Sequence, residues 1–383
     1  MDPTDPLLIL AAVTLLVVVL LSVDLLVGLR SLPRLSDADR SGRAPTVSVV
    51  LAARDEADHI AQAVQSLLDQ DHPALEIVAV DDRSTDGTGQ ILDRLAEAHA
   101  RVRVLHVRTL PDGWLGKNHA LQRGAEAATG ELLLFTDADV MMAPGAVSRA
   151  VGVLERDGLD HLAVAPRIRA GTAAATMTVA VFLALFSAVF RPWKARDPES
   201  RFHIGIGAFN LIRAEAYHSI GGHRTVALRP DDDVRLGRAL KEEGFRQATA
   251  IGIGLTEVEW YPTLRAMARG LRKNAFAVVE YRLSLVAAGT AIPFLFIFWP
   301  VAALLVTTGA VWWLNAAIVV GGAVVIFDTA RAHGLPAWTA LTYPLASAIL
   351  LWIVWAAALR ALRKGTIEWR GTEYPLSRLR QEA

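Results

Sequence analysis

The chain has 383 residues, of which 53% are hydrophobic and 20% charged, and its 39 basic residues balance its 39 acidic ones. A net charge of zero provides no long-range attraction for polyanions, which argues against a nucleic-acid partner. The absence of cysteine excludes disulfide bonds, thiolate metal sites and a cysteine nucleophile. The mean hydropathy of +0.34 is too high for an ordinary soluble enzyme, so we expect a membrane protein with a soluble part.

The first apolar run, Leu7 to Leu29, contains one charged residue, Asp24. It is long enough to cross a membrane core of about 30 Å. No basic residue precedes it and no small-residue cleavage site follows closely, so we predict an uncleaved transmembrane anchor over residues 1–30 rather than a signal peptide. Four arginines follow the run: Arg30, Arg34, Arg40 and Arg43. The positive-inside rule then places the next part of the chain in the cytoplasm, at the inner cell membrane.

Residues 45–282 show the pattern of a soluble α/β domain. Four short β-rich runs cover Thr46–Ala53, Leu75–Val80, Val102–Val107 and Glu131–Thr136. Helical stretches at about 56–69, 88–99 and 117–129 separate them. This alternation predicts a mostly parallel sheet with helices on both faces.

One run inside this domain, Gly171 to Phe190, carries no charge. It predicts either a helix buried in the core or a helix that lies in the membrane interface, where it would cover a groove for a lipid acceptor. A helix that crosses the membrane fits less well, because it would move the following residues to the other side.

Apolar runs return near the carboxyl terminus, where we expect transmembrane or interfacial helices over residues 283–360. Leu283 to Phe327 carries no charge and is about twice as long as one span requires, which predicts a hairpin of two helices. Leu335 to Leu359 predicts one further span. Arg331 and the basic residues after this last run both favour the cytoplasm, although one helix would separate them. We therefore expect one segment to be interfacial, followed by a basic tail over residues 361–383.

Adjacent carboxylates end the second β-rich run. Asp81 and Asp82 lead into Arg83-Ser84-Thr85-Asp86-Gly87. An ordinary turn with a helix cap accounts for the serine, threonine and glycine, but not for two carboxylates at a strand terminus. Because ligands of open parallel sheets bind outside the carboxyl ends of the strands, this pair is a candidate contact to a nucleobase or ribose.

A second acidic pair, Asp137 and Asp139, follows the apolar run Leu132 to Phe135. In an extended chain, residues two apart point to the same side. Carboxylates placed in this way suit a hard divalent cation, Mg²⁺ or Mn²⁺, which can bridge a diphosphate and stabilise the charge of a leaving group. We therefore predict a metal site at this pair.

Three consecutive carboxylates, Asp231, Asp232 and Asp233, precede the helical stretch Val234–Glu243. One or two of them would satisfy the helix dipole and the free N–H groups of the first turn. The third is then available as a general base that deprotonates a hydroxyl. Like-charged neighbours raise the proton affinity of such a base.

Basic residues that could meet a phosphate lie in two places. Lys117 lies in a glycine-flanked loop that enters a helix, where amide N–H groups add to its charge. Arg269 and Arg272 are three positions apart and so share a helix face. A solvated surface lysine and an interfacial basic belt are the respective alternatives.

Together these motifs resemble the family 2 glycosyltransferases, inverting enzymes of the GT-A fold that use a nucleotide-sugar donor. Val47–Glu56 is similar to the family's opening strand and its Pro-Ala-Arg-Asn-Glu turn, and Asp81–Thr88 to its Asp-Asp-x-Ser-Thr-Asp-Gly-Thr. Asp137–Asp139 is similar to its Asp-x-Asp triplet, and Asp232–Asp233 stands where the family usually has Glu-Asp. The flanking apolar segments and the tail Glu368–Gly371 resemble members that glycosylate lipids, such as ceramide glucosyltransferase-like enzymes and the carotenoid- and hopanoid-associated bacterial group.

The resemblance implies a role for each candidate residue. Asp233 would be the catalytic base, with Asp232 as the second choice. Asp139 would hold the metal, and Asp137 would contact the ribose or the metal. The further donor contacts would be Ala52, Arg54, Glu56, Asp82, Lys117, Arg269 and Arg272. The reaction would transfer a sugar with inversion, from a nucleotide sugar such as a UDP-sugar to a hydroxyl of a membrane lipid at the cytoplasmic face.

Other functions are compatible with parts of this pattern. A processive polysaccharide synthase would share the fold, but the carboxyl-terminal apolar segments offer little polarity for a polymer channel. A nucleotidyltransferase would need a Gly-rich loop with Arg or Lys after the first strand, where this chain has Ala52–Glu56. A non-catalytic membrane scaffold would not require three intact acidic sites, and a transporter would usually need ionisable groups within its membrane segments.

Overall fold

The computed structural model describes residues 5–40, 43–369 and 372–381. Residues 1–4 of the predicted anchor, and residues 370, 371, 382 and 383 of the predicted tail, lie outside this part of the chain. The strands are β1 (Val47–Ala53), β2 (Leu75–Asp82), β3 (Val102–Val107), β4 (Leu132–Asp137), β5 (Val140–Met142), β6 (His161–Ala165), β7 (Arg167–Ala170), β8 (Asn210–Arg213), β9 (Gln247–Ile251), β10 (Thr256–Tyr261), β11 (Thr366–Trp369) and β12 (Thr372–Pro375).

The α-helices are α1 (Pro6–Ser31), α2 (Ile60–Leu68), α3 (Thr88–Ala98), α4 (Gly116–Ala127), α5 (Ala146–Arg156), α6 (Ala173–Phe190), α7 (Ala214–Ser219), α8 (Asp232–Glu242), α9 (Leu264–Gly270), α10 (Arg272–Ala277), α11 (Leu283–Pro293), α12 (Trp299–Val306), α13 (Gly309–Ala332), α14 (Tyr343–Lys364) and α15 (Leu376–Gln381).

Seven strands form the central sheet, in the order β3-β2-β1-β4-β8-β6-β9. All neighbouring pairs are parallel except those of β8, which is antiparallel to β4 and β6. Alternate side chains of each strand enter opposite cores. Val49 packs with α2, α3 and α5 on one face, and Val50 packs with α4, α7 and α8 on the other. The predicted mostly parallel sheet with helices on both faces is thereby confirmed.

The strand register brings the predicted motifs to one edge of the sheet. Ala53 of β1 lies opposite Asp81 of β2, and Ala52 lies opposite Asp137 of β4. β4 runs one residue further than the sequence predicted, so Asp137 is its last residue. Asp139 follows in the turn to β5, which pairs with β10 in a smaller sheet of order β5-β10-β7.

Two glycines allow the chain to pass close to the start of α8. A Cβ added to Gly205 would collide with the carbonyl group of Asp233, and one added to Gly237 would collide with the carbonyl oxygen of Ile204. Any larger residue would therefore push the segment 204–207 away from the helix. This close packing fixes the first turn of α8 against the loop that precedes β8.

Five helices within the described residues are long and apolar enough to cross a membrane: Pro6–Ser31, Ala173–Lys194, Leu283–Val306, Gly309–Ala332 and Tyr343–Lys364. The uncharged run that starts at Leu283 thus forms two long helices, separated at Thr307 and Thr308. The first of these contains Pro293 and a π-helical turn, Phe294–Phe298. A proline inside a helix removes one N–H donor, which accounts for this irregularity.

The end of α1 is attached to the α/β domain. The backbone carbonyl of Pro33 accepts a hydrogen bond of 2.8 Å from the N–H of Ile251 in the edge strand β9. In the same region, the Nε of Arg30 donates to Asp328 of α13 at 3.2 Å. The carboxyl-terminal ends of α1 and α13 therefore lie on the same side, next to the domain.

The last long helix, α14, begins beside the middle of α13 and ends at the α/β domain. Tyr343 at its start donates a hydrogen bond of 3.3 Å to the carbonyl of Val319. Ala358 and Ala361 near its end pack against Phe276 of α10. Because α13 already ends on the domain side, the chain turns back between the two helices and returns to that side.

The helix α6 packs mainly against the apolar helices. Ala180 and Ala184 contact Ile326 of α13 and Ala346 of α14. Val179 on another face belongs to a second cluster with α9 and α14. A position of this helix in the membrane interface remains a prediction.

We expect the substitution Gly237→Ala to lower the free energy of unfolding by about 2 kcal/mol, because the new methyl group meets a backbone carbonyl that cannot rotate away. The thermal unfolding midpoint of the purified protein in detergent measures the effect. Gly289→Ala is the matched control, because no atom lies within 4 Å of its added Cβ. An equal shift in both variants would contradict the close packing of α8.

Candidate active site

The turn that follows β1, Asp55–Glu56, holds the loop that follows β2 in place. The backbone N–H groups of Asp55 and Glu56 donate to Ser84 Oγ at 3.1 Å and Thr88 Oγ1 at 2.8 Å. In return, Asp55 Oδ1 accepts a bond of 2.8 Å from the N–H of Thr85. The predicted helix 56–69 begins at Ile60, whose N–H donates to the carbonyl of Glu56 at 2.9 Å.

Asp86 completes this interlocked pair of loops. Its carboxylate accepts bonds of 3.0 Å from the N–H groups of both Ala57 and Thr88. Burial alone would raise the pKa of Asp86, but a hydrogen bond from the Thr88 hydroxyl and these two amide bonds outweigh it and lower the pKa. Most of the Ser-Thr-Asp-Gly-Thr motif therefore has a structural role, because it fixes the shape of the loop that follows Asp82.

The two carboxylates at the end of β2 have different partners. Asp81 Oδ2 lies 3.0 Å from Nδ1 of His106, and Asp81 Oδ1 accepts a bond of 3.2 Å from the N–H of Ser84. Asp82 binds the guanidinium of Arg83 through two bonds, at 2.7 and 3.0 Å. Asp81 is thus occupied by structural contacts, and the Asp82–Arg83 pair lies against the first residue of α4, Gly116.

Lys117 is the central cation of the site. Its Nζ lies 2.7 Å from Oδ1 of Asp137 and 3.9 Å from Oδ2 of Asp232. Burial alone would lower the pKa of Lys117, but the charges of Asp137, Asp232 and Asp233 outweigh it and raise the pKa. The lysine therefore stays charged and connects the acidic motif after β4 to the one at the start of α8.

The neighbour of Lys117 explains how the lysine is positioned. The Nδ2 group of Asn118 donates to the carbonyls of Val226 at 2.6 Å and Arg229 at 2.8 Å. These bonds attach the first turn of α4 to the segment that leads into the acidic triplet. The loop at 113–119, which the sequence offered as a phosphate site or a surface loop, is therefore part of the site.

The three aspartates before and within α8 have separate partners. Asp231 binds the Nε groups of Arg229 at 2.9 Å and Arg235 at 3.1 Å. Asp232 is buried and faces Lys117. Asp233 accepts bonds from the N–H groups of Gly207 at 2.7 Å and Val234 at 2.8 Å.

The carboxylate of Asp233 is the best placed of the three to take up a proton. Burial raises its pKa, and the opposing charge of Lys117 and the two amide bonds do not cancel this rise. A Cβ on Gly207 would lie 3.3 Å from both Asp137 Oδ2 and Lys117 Nζ, and 3.4 Å from Asp233 Oδ2. Gly207 is therefore the point at which the separate motifs converge.

The carboxylates after β4 fit a divalent cation. Burial, followed by the charges of Asp137 and Glu56, raises the pKa of Asp139 to about 7. A hard cation with oxygen ligands would relieve this repulsion. Among the described residues, no group of three acidic, histidine or cysteine side chains is arranged to enclose a metal. Phosphate oxygens or water would therefore have to supply the other ligands.

The two predicted arginines lie outside this cluster. Arg269 is in α9 and Arg272 is in α10, because Leu271 separates the two helices. Both arginines are exposed. Within the described part of the chain, neither forms an ion pair with the carboxylates of the site, so a donor contact for them remains a prediction.

Two features of the site were not predicted from the sequence. The segment Gly205–Asn210 contains Gly205 and Gly207, and this glycine density could have indicated a close backbone approach. His223 has its Nε2 at 4.0 Å from Asp232 and its Nδ1 at 2.7 Å from the hydroxyl of Tyr217. Burial and then the charge of Lys117 lower the pKa of His223 to about 3, so this histidine is neutral.

Comparison with known proteins identifies the class of this domain. Residues 48–221 match the family model described as glycosyl transferase family 2. A β-monoglucosyldiacylglycerol synthase of a Nostoc species is 30% identical over 134 residues, which are 34% of this chain and 28% of the relative. The glycosyltransferase GlyG of Streptococcus pneumoniae is 33% identical over 93 residues, 24% of this chain and 30% of the relative.

Residues 48–221 of the α/β domain therefore match glycosyl transferase family 2, the family that the motifs resemble. A mannosyltransferase from Pyrobaculum calidifontis, solved in complex with GDP-Man and Mn²⁺, shares the fold with a TM-score of 0.55 at 22% identity. The similarity covers 94% of this chain and 99% of that one. The GT-A-like fold is therefore shown, whereas this chain spans only about a third of the first curated relatives.

A histidine next to the site should make the stability depend on pH. The hydrogen bond to Asp81, opposed by burial and supported by Asp93, raises the pKa of His106. Because the pKa of His106 is higher in the folded protein, the charged histidine stabilises the fold. This contribution is complete below the pKa of the unfolded chain, about 6.5, and is lost as the pH rises through the pKa of the folded protein.

We therefore expect His106→Gln to destabilise the protein more at about pH 5.5 than at about pH 9. Thermal unfolding midpoints of the purified protein at the two pH values measure this difference. His59→Gln is the control, because His59 is exposed and forms no ion pair among the described residues. If the variant's midpoint is lowered by the same amount at both pH values, the charged His106–Asp81 contact is contradicted.

Proposed function

We propose that the protein is an inverting glycosyltransferase, which transfers a sugar from a nucleotide-sugar donor to a hydroxyl of a membrane lipid. The observation that supports this most is the convergence of Asp137, Lys117, Asp232 and Asp233 around Gly207. This cluster lies at the carboxyl edge of the sheet, where open α/β folds bind their ligands.

Asp233 is proposed as the general base, with Asp232 as the second choice. The base takes the proton of the acceptor hydroxyl while the hydroxyl oxygen attacks the anomeric carbon. The bond between this carbon and the diphosphate breaks on the opposite side, and the diphosphate leaves with the electron pair. The amide bonds from Gly207 and Val234 hold the carboxylate in one orientation, and attack from the opposite side gives inversion.

Asp139 and Asp137 are proposed to hold Mg²⁺ or Mn²⁺, which when bound supplies positive charge next to the donor diphosphate. Lys117 lies beside the same carboxylates and keeps its charge. We propose that it orients Asp137 and adds to the positive field at the leaving group. Asp82 is proposed to contact the nucleoside, beside Ala52, Arg54 and Glu56, with a UDP-sugar as the first donor to test and GDP-mannose as the second.

A lipid acceptor is supported by the position of α6. This helix packs on the apolar helices and carries a row of aromatic rings. Phe182 lies 4.6 Å from the ring of Trp260 in β10, and Phe186 lies 4.6 Å from Phe190. The relative named β-monoglucosyldiacylglycerol synthase supports the same acceptor class.

We propose that the domain faces the cytoplasm at the inner membrane. The arginines after α1 support this orientation. The return of both α13 and α14 to the domain side supports the same orientation, because the basic residues that end both helices then lie on one side. We propose that the chain enters the membrane again after α13 and leaves it on the same side through α14.

The donor prediction is tested by binding. We expect the detergent-purified protein to bind one nucleotide sugar from a panel, more tightly with Mn²⁺ than without it. Asp139→Asn should abolish the gain in affinity from the metal. Isothermal titration calorimetry measures both quantities, and Glu242→Gln at the far end of α8 is the control. If the folded protein binds no donor with any metal, the proposal is wrong.

The base prediction is tested by turnover. We expect Asp233→Asn to lower the rate of sugar transfer to a membrane lipid extract by about 10²- to 10⁴-fold, because the hydroxyl then has no proton acceptor. Donor affinity should stay within a few-fold of the unchanged protein. Transfer of radiolabelled sugar into the lipid fraction measures the rate. A larger loss in Asp232→Asn than in Asp233→Asn would reverse the assignment of the base.

A further inference from the structure

A pocket lies beside the Asp82–Arg83 pair, between the loop 108–114 and the residues 372–379. Its volume is about 440 Å³, which is in the range of small-ligand sites. The lining residues with aromatic or cationic side chains are Arg83, Arg108, Trp114, Tyr374 and Arg378. The pocket therefore joins the Asp82–Arg83 pair to the chain's carboxyl-terminal residues.

The carboxyl-terminal hairpin, which we define as β11, β12 and α15, is a packed part of the protein. Leu376 and Leu379 of α15 are buried with Leu115 and Leu228 of the α/β domain. Arg380 Nη2 donates a bond of 3.0 Å to the carbonyl of Tyr281. Apolar burial and this bond hold the hairpin in one position, so it can serve as a wall of a binding site.

The hairpin reaches the predicted nucleoside contact. Tyr374 and Arg83 line the same pocket. A Cβ on Gly116 would collide with Oδ2 of Asp82. Tyr374 is close enough to this place for the backbone of Gly116 and the charges of Arg83 and Asp82 to act on the pKa of its hydroxyl.

The charges of the pocket favour an anion. Arg83 is neutralised by Asp82, but within the described residues neither Arg108 nor Arg378 forms an ion pair. The Nη2 group of Arg378 lies 3.4 Å from the Cβ position of Gly113, so its guanidinium extends over the loop. Guanidinium groups bind phosphate oxygens through paired, charge-assisted hydrogen bonds.

The acidic residues that line the pocket do not cancel the positive charge of Arg108 and Arg378. Asp112 and Glu373 also line the pocket, but Glu373 lies 3.9 Å from Lys364. The rings of Trp114 and Tyr374 add flat apolar surfaces, against which a planar ring can pack. Guanidinium groups next to aromatic rings match the chemistry of a nucleotide.

We propose that the carboxyl-terminal hairpin forms one wall of the pocket for the donor nucleotide, in which Arg378 and Arg108 face its anionic part and Trp114 and Tyr374 face its rings. This inference rests on the proposed function. It assigns the predicted basic tail to donor binding.

The test is calorimetric titration of UDP and of GDP into the full-length protein in detergent with Mn²⁺. Arg378→Gln should weaken the affinity for the preferred nucleotide by about tenfold, the effect of losing one charge-assisted contact. Arg378→Lys should recover part of the loss, and Tyr374→Phe should have a smaller effect. Arg363→Gln is the matched control, because it removes the same charge from an exposed residue of α14 outside the pocket.

Each outcome decides between the two proposals. Unchanged nucleotide affinity in Arg378→Gln and Tyr374→Phe, together with a loss in Asp139→Asn, overturns the inference and leaves the proposed function standing. Equal losses in Arg378→Gln and Arg363→Gln also overturn it, since they indicate non-specific attraction. If the folded, unchanged protein binds neither nucleotide, both proposals fail.

Two further measurements check the interpretation of the titrations. Thermal unfolding midpoints show whether Arg378→Gln is folded, and if it is not, Arg108→Gln takes its place with the same expected loss. Flotation with vesicles that contain phosphatidylglycerol separates a nucleotide from a lipid headgroup as the source of the phosphate. Weaker vesicle binding with unchanged nucleotide affinity would overturn the inference in favour of a headgroup site.

Discussion

The position of one half-buried charge determines the geometry of the site. Lys117 lies within 2.7 Å of Asp137 and 3.9 Å of Asp232, and the bonds of Asn118 attach its helix to the chain before α8. Three carboxylates brought together in a partly buried place would repel one another without this cation. The lysine therefore makes it possible for two distant acidic motifs to meet at the edge of the sheet.

The acidic motifs combine structural carboxylates with carboxylates that face the site. Asp81, Asp86 and Asp231 are held by a histidine, by backbone amides and by two arginines, respectively. Their neighbours Asp82 and Asp233 are thereby fixed in direction. A rigid set of supporting bonds around a few presented groups is the arrangement that orientation-dependent chemistry requires. It also explains why the motifs contain more carboxylates than the reaction uses.

The membrane segments and the α/β domain are joined at several points. Asp24 of α1 pairs with Arg191 at the end of α6 at 3.1 Å, and α6 packs against α13 and α14. The carboxyl-terminal hairpin returns from α14 to contact Gly116. The helices are therefore more than an anchor, because they place an apolar surface on one side of the domain and the hairpin on another.

The parallel α/β sheet, the acidic motifs and the apolar helices could all be predicted from the sequence, because hydrophobic periodicity and short motifs are local properties. The sequence also placed Asp137 and Asp82 at strand ends, and the strand register brings these ends to one edge. The folded structure was needed to show that Asp231 is structural, that Lys117 joins two motifs, and that Gly207 is their meeting point. It also decided the path of the hairpin. These features depend on contacts between residues far apart in the chain, and no local pattern encodes them.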